Sequence, residues 1–151
     1  MNRYTNCITA ATLCLTLFCC TLLAFADDDR GDKGQIQGKW TVIEMHHNGQ
    51  AAPQKIVDAA GYVISDGHFY ATLNGNKRKD TTVSFTLNDT TNPKQIDLTE
   101  KDSGEMNLGI YKLDGDQLKI YFYKSKKVRP KMFASTSEGL SNSLLVLKRT
   151  K

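Results

Sequence analysis

From Trp40 onward, apolar and polar residues alternate in short runs separated by turn residues, and that period of two marks half-buried strands. Trp40–Met45 (WTVIEM) is β-branched and aromatic and predicts the first strand, which Asn48-Gly49 breaks. Residues Ala51 to Ala60 (AAPQKIVDAA) are the one helix-compatible piece, with Pro53 in the first turn and Gly61 as a stop. Hairpins follow. Asp66-Gly67 is a two-residue turn signal. Its register sets Ile64 opposite Phe69 and Tyr62 opposite Ala71, so Tyr62, Ile64, Phe69, Ala71 and Leu73 share the buried face. Asn74-Gly75-Asn76 turns the chain again, and Val83, Phe85 and Leu87 alternate with Thr82, Ser84 and Thr86. Past the NDTTNP loop, Ile96 and Leu98 point inward from Gln95–Thr99.

Gly109 to Tyr123 is the clearest hairpin, with Asp114-Gly115 as the predicted turn. That turn sets Leu113 opposite Asp116 and Tyr111 opposite Leu118. One face then carries Tyr111, Leu113, Leu118, Ile120 and Phe122, and the other Lys112, Gln117, Lys119, Tyr121 and Tyr123. Slipping by one residue would bury lysines, so the choice of face is strongly specified. Lys124 to Ser143 is basic, then Ser/Gly-rich, with Met132-Phe133 read as a short strand. Leu144–Arg149 closes the chain as a mostly apolar strand. The pattern predicts an all-β fold: an antiparallel up-and-down β-barrel of about eight strands, with at most one short helix after the first strand. Closure is expected because it removes sheet edges that invite aggregation.

The first 26 residues are different. Arg3 is their only charge, Ala10–Leu23 is mostly apolar, and Ala24-Phe25-Ala26 precedes three aspartates. This describes a signal peptide cut near Ala26, with an apolar run too short to span a bilayer. All four cysteines, Cys7, Cys14, Cys19 and Cys20, lie inside it. A lipoprotein cut would follow Phe18 or Cys19, where such cuts favour a small residue, so the expectation is a soluble periplasmic or extracellular protein. The mature chain would hold no thiol, no disulfide and no transmembrane segment, and burial alone must stabilise it. Residues 27–34 (DDDRGDKG) read as a disordered leader, and 35–151 as the domain. Arg30-Gly31-Asp32 is taken as part of that polar leader.

The net charge of +4 is spread among interspersed residues of both signs, which is not the footprint of a nucleic-acid partner. His46, His47 and His68 are the only histidines. The first two point to opposite faces of a strand, and no Cys or Glu stands at a ligand spacing, so no metal or other cofactor is expected. Asp114-Gly115-Asp116 lacks the remaining oxygen ligands of a calcium loop and reads as a turn. Asp97, Glu100, Asp102 and Glu105 read as solvated carboxylates, and no nucleophile–base or phosphate-loop signature is present. The expectation is a protein without catalysis.

Gly38-Lys39-Trp40 opening the first strand, the β-meander, and a basic residue closing the last strand resemble the lipocalin-like (calycin) barrels. The resemblance implies that Trp40 plugs the closed end with Gly38 beside it, and that Arg149 or Lys148 lies over the indole. Ile36-Gln37-Gly38-Lys39-Trp40, Pro93–Thr99 (PKQIDLT), Gly109–Leu118 (GIYKLDGDQL) and Leu144–Arg149 also resemble a group of small exported domains plentiful in planctomycete bacteria. That group brings no activity and no catalytic motif.

The resulting expectation is a non-enzymatic exported binding protein. Its site would be the barrel interior, walled by Tyr62, Phe69, Phe85, Tyr111 and Phe122, and would take a small apolar molecule. The competing expectation gives those side chains to the core. It places the interaction, with an envelope protein, on an outer patch of Tyr121, Tyr123, Lys126, Lys127 and Arg129.

Overall fold

A computed structural model describes residues 31–124, 128–137 and 139–150. The expected signal peptide, residues 27–30, Lys126 and Lys127 lie outside the described residues. In chain order the elements are α1 (Gly31–Gln35), β1 (Gly38–His47), β2 (Gln50–Ala51), α2 (Gln54–Ala59), β3 (Ala60–Ser65), β4 (His68–Leu73), β5 (Asn76–Asn88), β6 (Lys94–Glu100), β7 (Met106–Asp114), β8 (Gln117–Tyr123) and β9 (Asn142–Arg149). Each strand from β3 to β9 pairs antiparallel with the next, β3 pairs with β1, and β1 pairs with β9. The result is a closed antiparallel barrel of eight strands. The two-residue β2 is a side branch on the end of β1.

Turn chemistry sets the registers. Asp66 and Gly67 both have positive φ, as a type I′ turn requires, and Ile64 faces Phe69 with Tyr62 facing Ala71. The β7–β8 hairpin differs from the sequence expectation. Its central residues are Gly115 and Asp116, with positive φ at Gly115, so Leu113 faces Leu118 and Tyr111 faces Ile120. Glycine at the first central position suits a type II′ turn. The pairing moves by two residues, which preserves the inward face.

The inward side chains make one contiguous core, from Ile36, Trp40 and Val42 through Ile64, Phe69, Phe85 and Ile96 to Leu118, Ile120 and Leu147. α2 starts immediately after Pro53 and contributes Val57 to that core. Gly61, read as the helix stop, belongs to β3, and Ala60 ends the helix in an extended conformation. Residues 31–34, expected at the end of a disordered leader, form α1.

Candidate functional site

One end of the barrel is sealed around the indole. Trp40 and Arg149 are direct partners across β1 and β9, and the guanidinium carbon lies 4.3 Å from the ring centroid. Arg149 donates to the carbonyls of Gln35 and Gln37, and its Nε is 3.2 Å from Asp116 Oδ1. Trp40 Nε1 donates to the Ile36 carbonyl at 2.9 Å. Gly38 sits at φ +124°, and a Cβ there would stand 3.1 Å from Arg149 Nη1, so the close approach needs glycine.

A second set of contacts ties α1 to the same end. Asp32 Oδ2 accepts from Tyr111 Oη and from Lys94 Nζ, each at 2.7 Å. Burial, then the hydrogen bond and charge of Asp32, push the Tyr111 phenol above its usual range. These two contacts fasten α1 to β6 and β7. Sequence reasoning missed them because Asp32 meets partners 62 and 79 residues away, with no local signal.

The five expected wall residues all join the core, and the rings of Tyr62, Phe69 and Phe85 pack on one another. Phe69 lies 4.9 Å from Phe85 and 6.0 Å from Tyr62, both edge-on. Phe69 and Phe85 are each 5 % exposed and Tyr111 is 1 % exposed, while Tyr62 and Phe122 are partly buried against them. Burial raises the Tyr62 pKa as well.

Of the expected outer patch, Lys126 and Lys127 lie outside the described residues, Tyr123 and Arg129 are partly buried, and Tyr121 is buried. Tyr121 does point outward, but it is 1 % exposed. It packs with Ile110, Leu144, Tyr123 and Phe133 in a small second core. The segment of residues 128–137 crosses outside β7, β8 and β9 and supplies Phe133. It is irregular where Met132-Phe133 had suggested a strand. Burial, and after it Tyr123, push the Tyr121 phenol up to about 12. Arg129 is not a free cation. It donates to the carbonyls of Ile96 and Gly109 and pairs with Asp97, which is therefore no solvated carboxylate. Asn142, 1 % exposed, anchors the far end of this segment: its Nδ2 donates to the Thr136 and Leu140 carbonyls, and its Oδ1 accepts from Ser135 Oγ.

The histidines stay apart. His46 pairs with Glu44, His47 meets Ser143, and His68 turns back to its own hairpin at the Asp66 carbonyl. Among the described residues, no group of three or more His, Cys, Asp or Glu side chains could hold a metal ion.

Two of the concave surfaces among the described residues lie beside α2 and the β4–β5 turn. A groove of about 370 Å³ runs along the outside of β1 and β3, between Lys39, Thr41, Gly61, Thr72 and Thr150. A second, of about 570 Å³, lies between Lys55, Ile56 and Leu73. Both are lined by Asp58, Ala59 and Asn74, so they adjoin. This region was not singled out in the sequence, because it is assembled from a helix and a hairpin tip that no short motif joins. No family model matches this chain, and no curated protein or solved structure is significantly similar to it.

Proposed function

We propose that this is an exported, non-catalytic binding protein of the lipocalin-like kind, in which the barrel is a solid scaffold and partner contacts are made on its outside. The observation that carries this reading is the self-packing of the aromatic wall. Three of the rings that would line a ligand cavity, Tyr62, Phe69 and Phe85, pack edge-on against one another, and the Tyr111 hydroxyl that could fix a ligand's polar end is committed to Asp32. A chain of this size needs such burial for stability, at about 25 cal/mol per Å² of apolar surface. The N-terminal segment, with its basic start, apolar run and small-x-small site, supports export, as does the confinement of all four cysteines to it.

Native mass spectrometry of the protein isolated from its producing cells tests the reading. A bare polypeptide mass is expected. A co-purifying small molecule that is lost on widening or narrowing the interior at Phe85 would overturn the solid scaffold and restore the interior site for a small apolar ligand.

A further inference from the structure

Two large apolar side chains stand exposed at one rim of the barrel. Ile56 on α2 is 48 % exposed and Leu73 at the end of β4 is 42 % exposed, and both line the same groove. Leu73 is inward by alternation, yet it sits beyond the last full layer of the core, where Ala60 and Asn76 are its cross-strand partners. Cations stand beside the pair and on the adjoining hairpin. Lys55 lines the groove itself. Lys77, Arg78 and Lys79 lie just past the Asn74-Gly75 turn, after Asn76, and all are exposed.

The β4–β5 ladder is interrupted here. Tyr70 faces Thr82 and Thr72 faces Lys77, so four residues of β5 stand against one of β4. The interruption pushes the Arg78–Lys79 stretch out of the sheet. Lys77 Nζ rests 4.3 Å from the Tyr70 ring centroid, which holds one cation against the outer face. Asp58, whose Oδ1 accepts from Gln54, is the one carboxylate among the described residues that line the two grooves.

An apolar pair with a lysine in its groove and three exposed cations on the adjoining hairpin matches one kind of partner best. At an anionic lipid surface the phosphates take the cations and the acyl boundary takes the apolar side chains. We infer that this rim docks the protein on an anionic membrane surface through Ile56 and Leu73, with Lys55, Lys77, Arg78 and Lys79 as the electrostatic contacts. The inference rests on the solid-scaffold reading, since it assigns binding to the outside of the barrel.

Co-sedimentation of the full chain with vesicles tests it, using neutral phosphatidylcholine alone and with about 30 % phosphatidylglycerol added. Residues 1–30 are common to every variant, so the readout is the difference between variants and between vesicle types. Binding is expected to the anionic vesicles, with loss at about 0.5 M salt. The triple variant K77Q/R78Q/K79Q should bind about a hundredfold more weakly. I56S/L73S should also bind more weakly but keep its salt dependence. Far-UV circular dichroism checks that both variants fold. Equal binding to neutral and anionic vesicles overturns the inference, as does an unchanged affinity in the triple variant. Binding to soluble polyglutamate but not to anionic vesicles overturns it too, and assigns the rim to an acidic polypeptide. None of these results touches the solid core, which the mass measurement tests separately.

Discussion

Replacing Arg149 by methionine removes the guanidinium over Trp40 while keeping an apolar stem of similar reach. The lost interactions can be sized one at a time. The ion pair to Asp116 is worth at most about 0.5 kcal/mol, because that carboxylate is 55 % exposed. The two hydrogen bonds from a charged donor to the Gln35 and Gln37 carbonyls contribute about 1.5 kcal/mol each. Stacking on the indole adds about 1 kcal/mol. These terms overlap, since one rotamer makes all of them, and the net loss should be about 3 kcal/mol. With a urea dependence of about 1.5 kcal/mol per molar, the unfolding midpoint falls by about 2 M. The assay is built in: Trp40 is the only tryptophan and is nearly fully buried, so its emission reports both unfolding and any loosening of α1. The native emission of the variant should move to longer wavelength as the cap over the ring opens. Arg149→Lys keeps the charge but not the planar fork, and should recover less than half of the loss. A midpoint within about 0.3 M of wild type for Arg149→Met, with unchanged emission, would refute the sealed-end reasoning.

Two further outcomes are expected. Gly109→Ala puts a Cβ 2.8 Å from the Tyr121 carbonyl oxygen and 2.9 Å from Phe122 Cβ, both on β8, so relief requires opening the β7–β8 ladder. The cost should be about 2 kcal/mol, read as a drop of about 8 °C in Tm, and an unchanged Tm refutes it. Tyr111 and Tyr121 have folded-state pKa values raised above the unfolded value of about 10, so the stability that their neutral forms supply is intact below that pH and is lost as pH rises above it. Stability should fall by up to about 1.4 kcal/mol per pH unit for each buried phenol, with Tyr121 spent near pH 12, and Tyr121→Phe should flatten the decline. Tyrosinate absorbance at 295 nm checks the order of ionisation; complete ionisation of every tyrosine by about pH 10.5 in a still-folded chain refutes it.

The strands, their inward faces and the first hairpin register were legible in the residues, because period-two alternation and Asp66-Gly67 are local signals. The second hairpin was displaced because Asp114-Gly115 and Gly115-Asp116 are both acceptable turns, and local chemistry does not choose between them. The neighbouring strand does: Leu118 pairs with Leu147, and the Arg149 amide donates to the Asp116 carbonyl. The fate of Tyr121 shows the same limit from another side. Alternation says which face a side chain takes, and it took the outer one, but what covers that face depends on a segment with no periodicity of its own. The cap made by α1 and Asp32 and the groove between Ile56 and Leu73 likewise join residues far apart in the chain. The order of residues thus determined that this chain forms short, one-sided strands linked by tight turns. The tertiary structure decided which side chains those strands bring together, because closing the barrel joins residues that share no local pattern into one core.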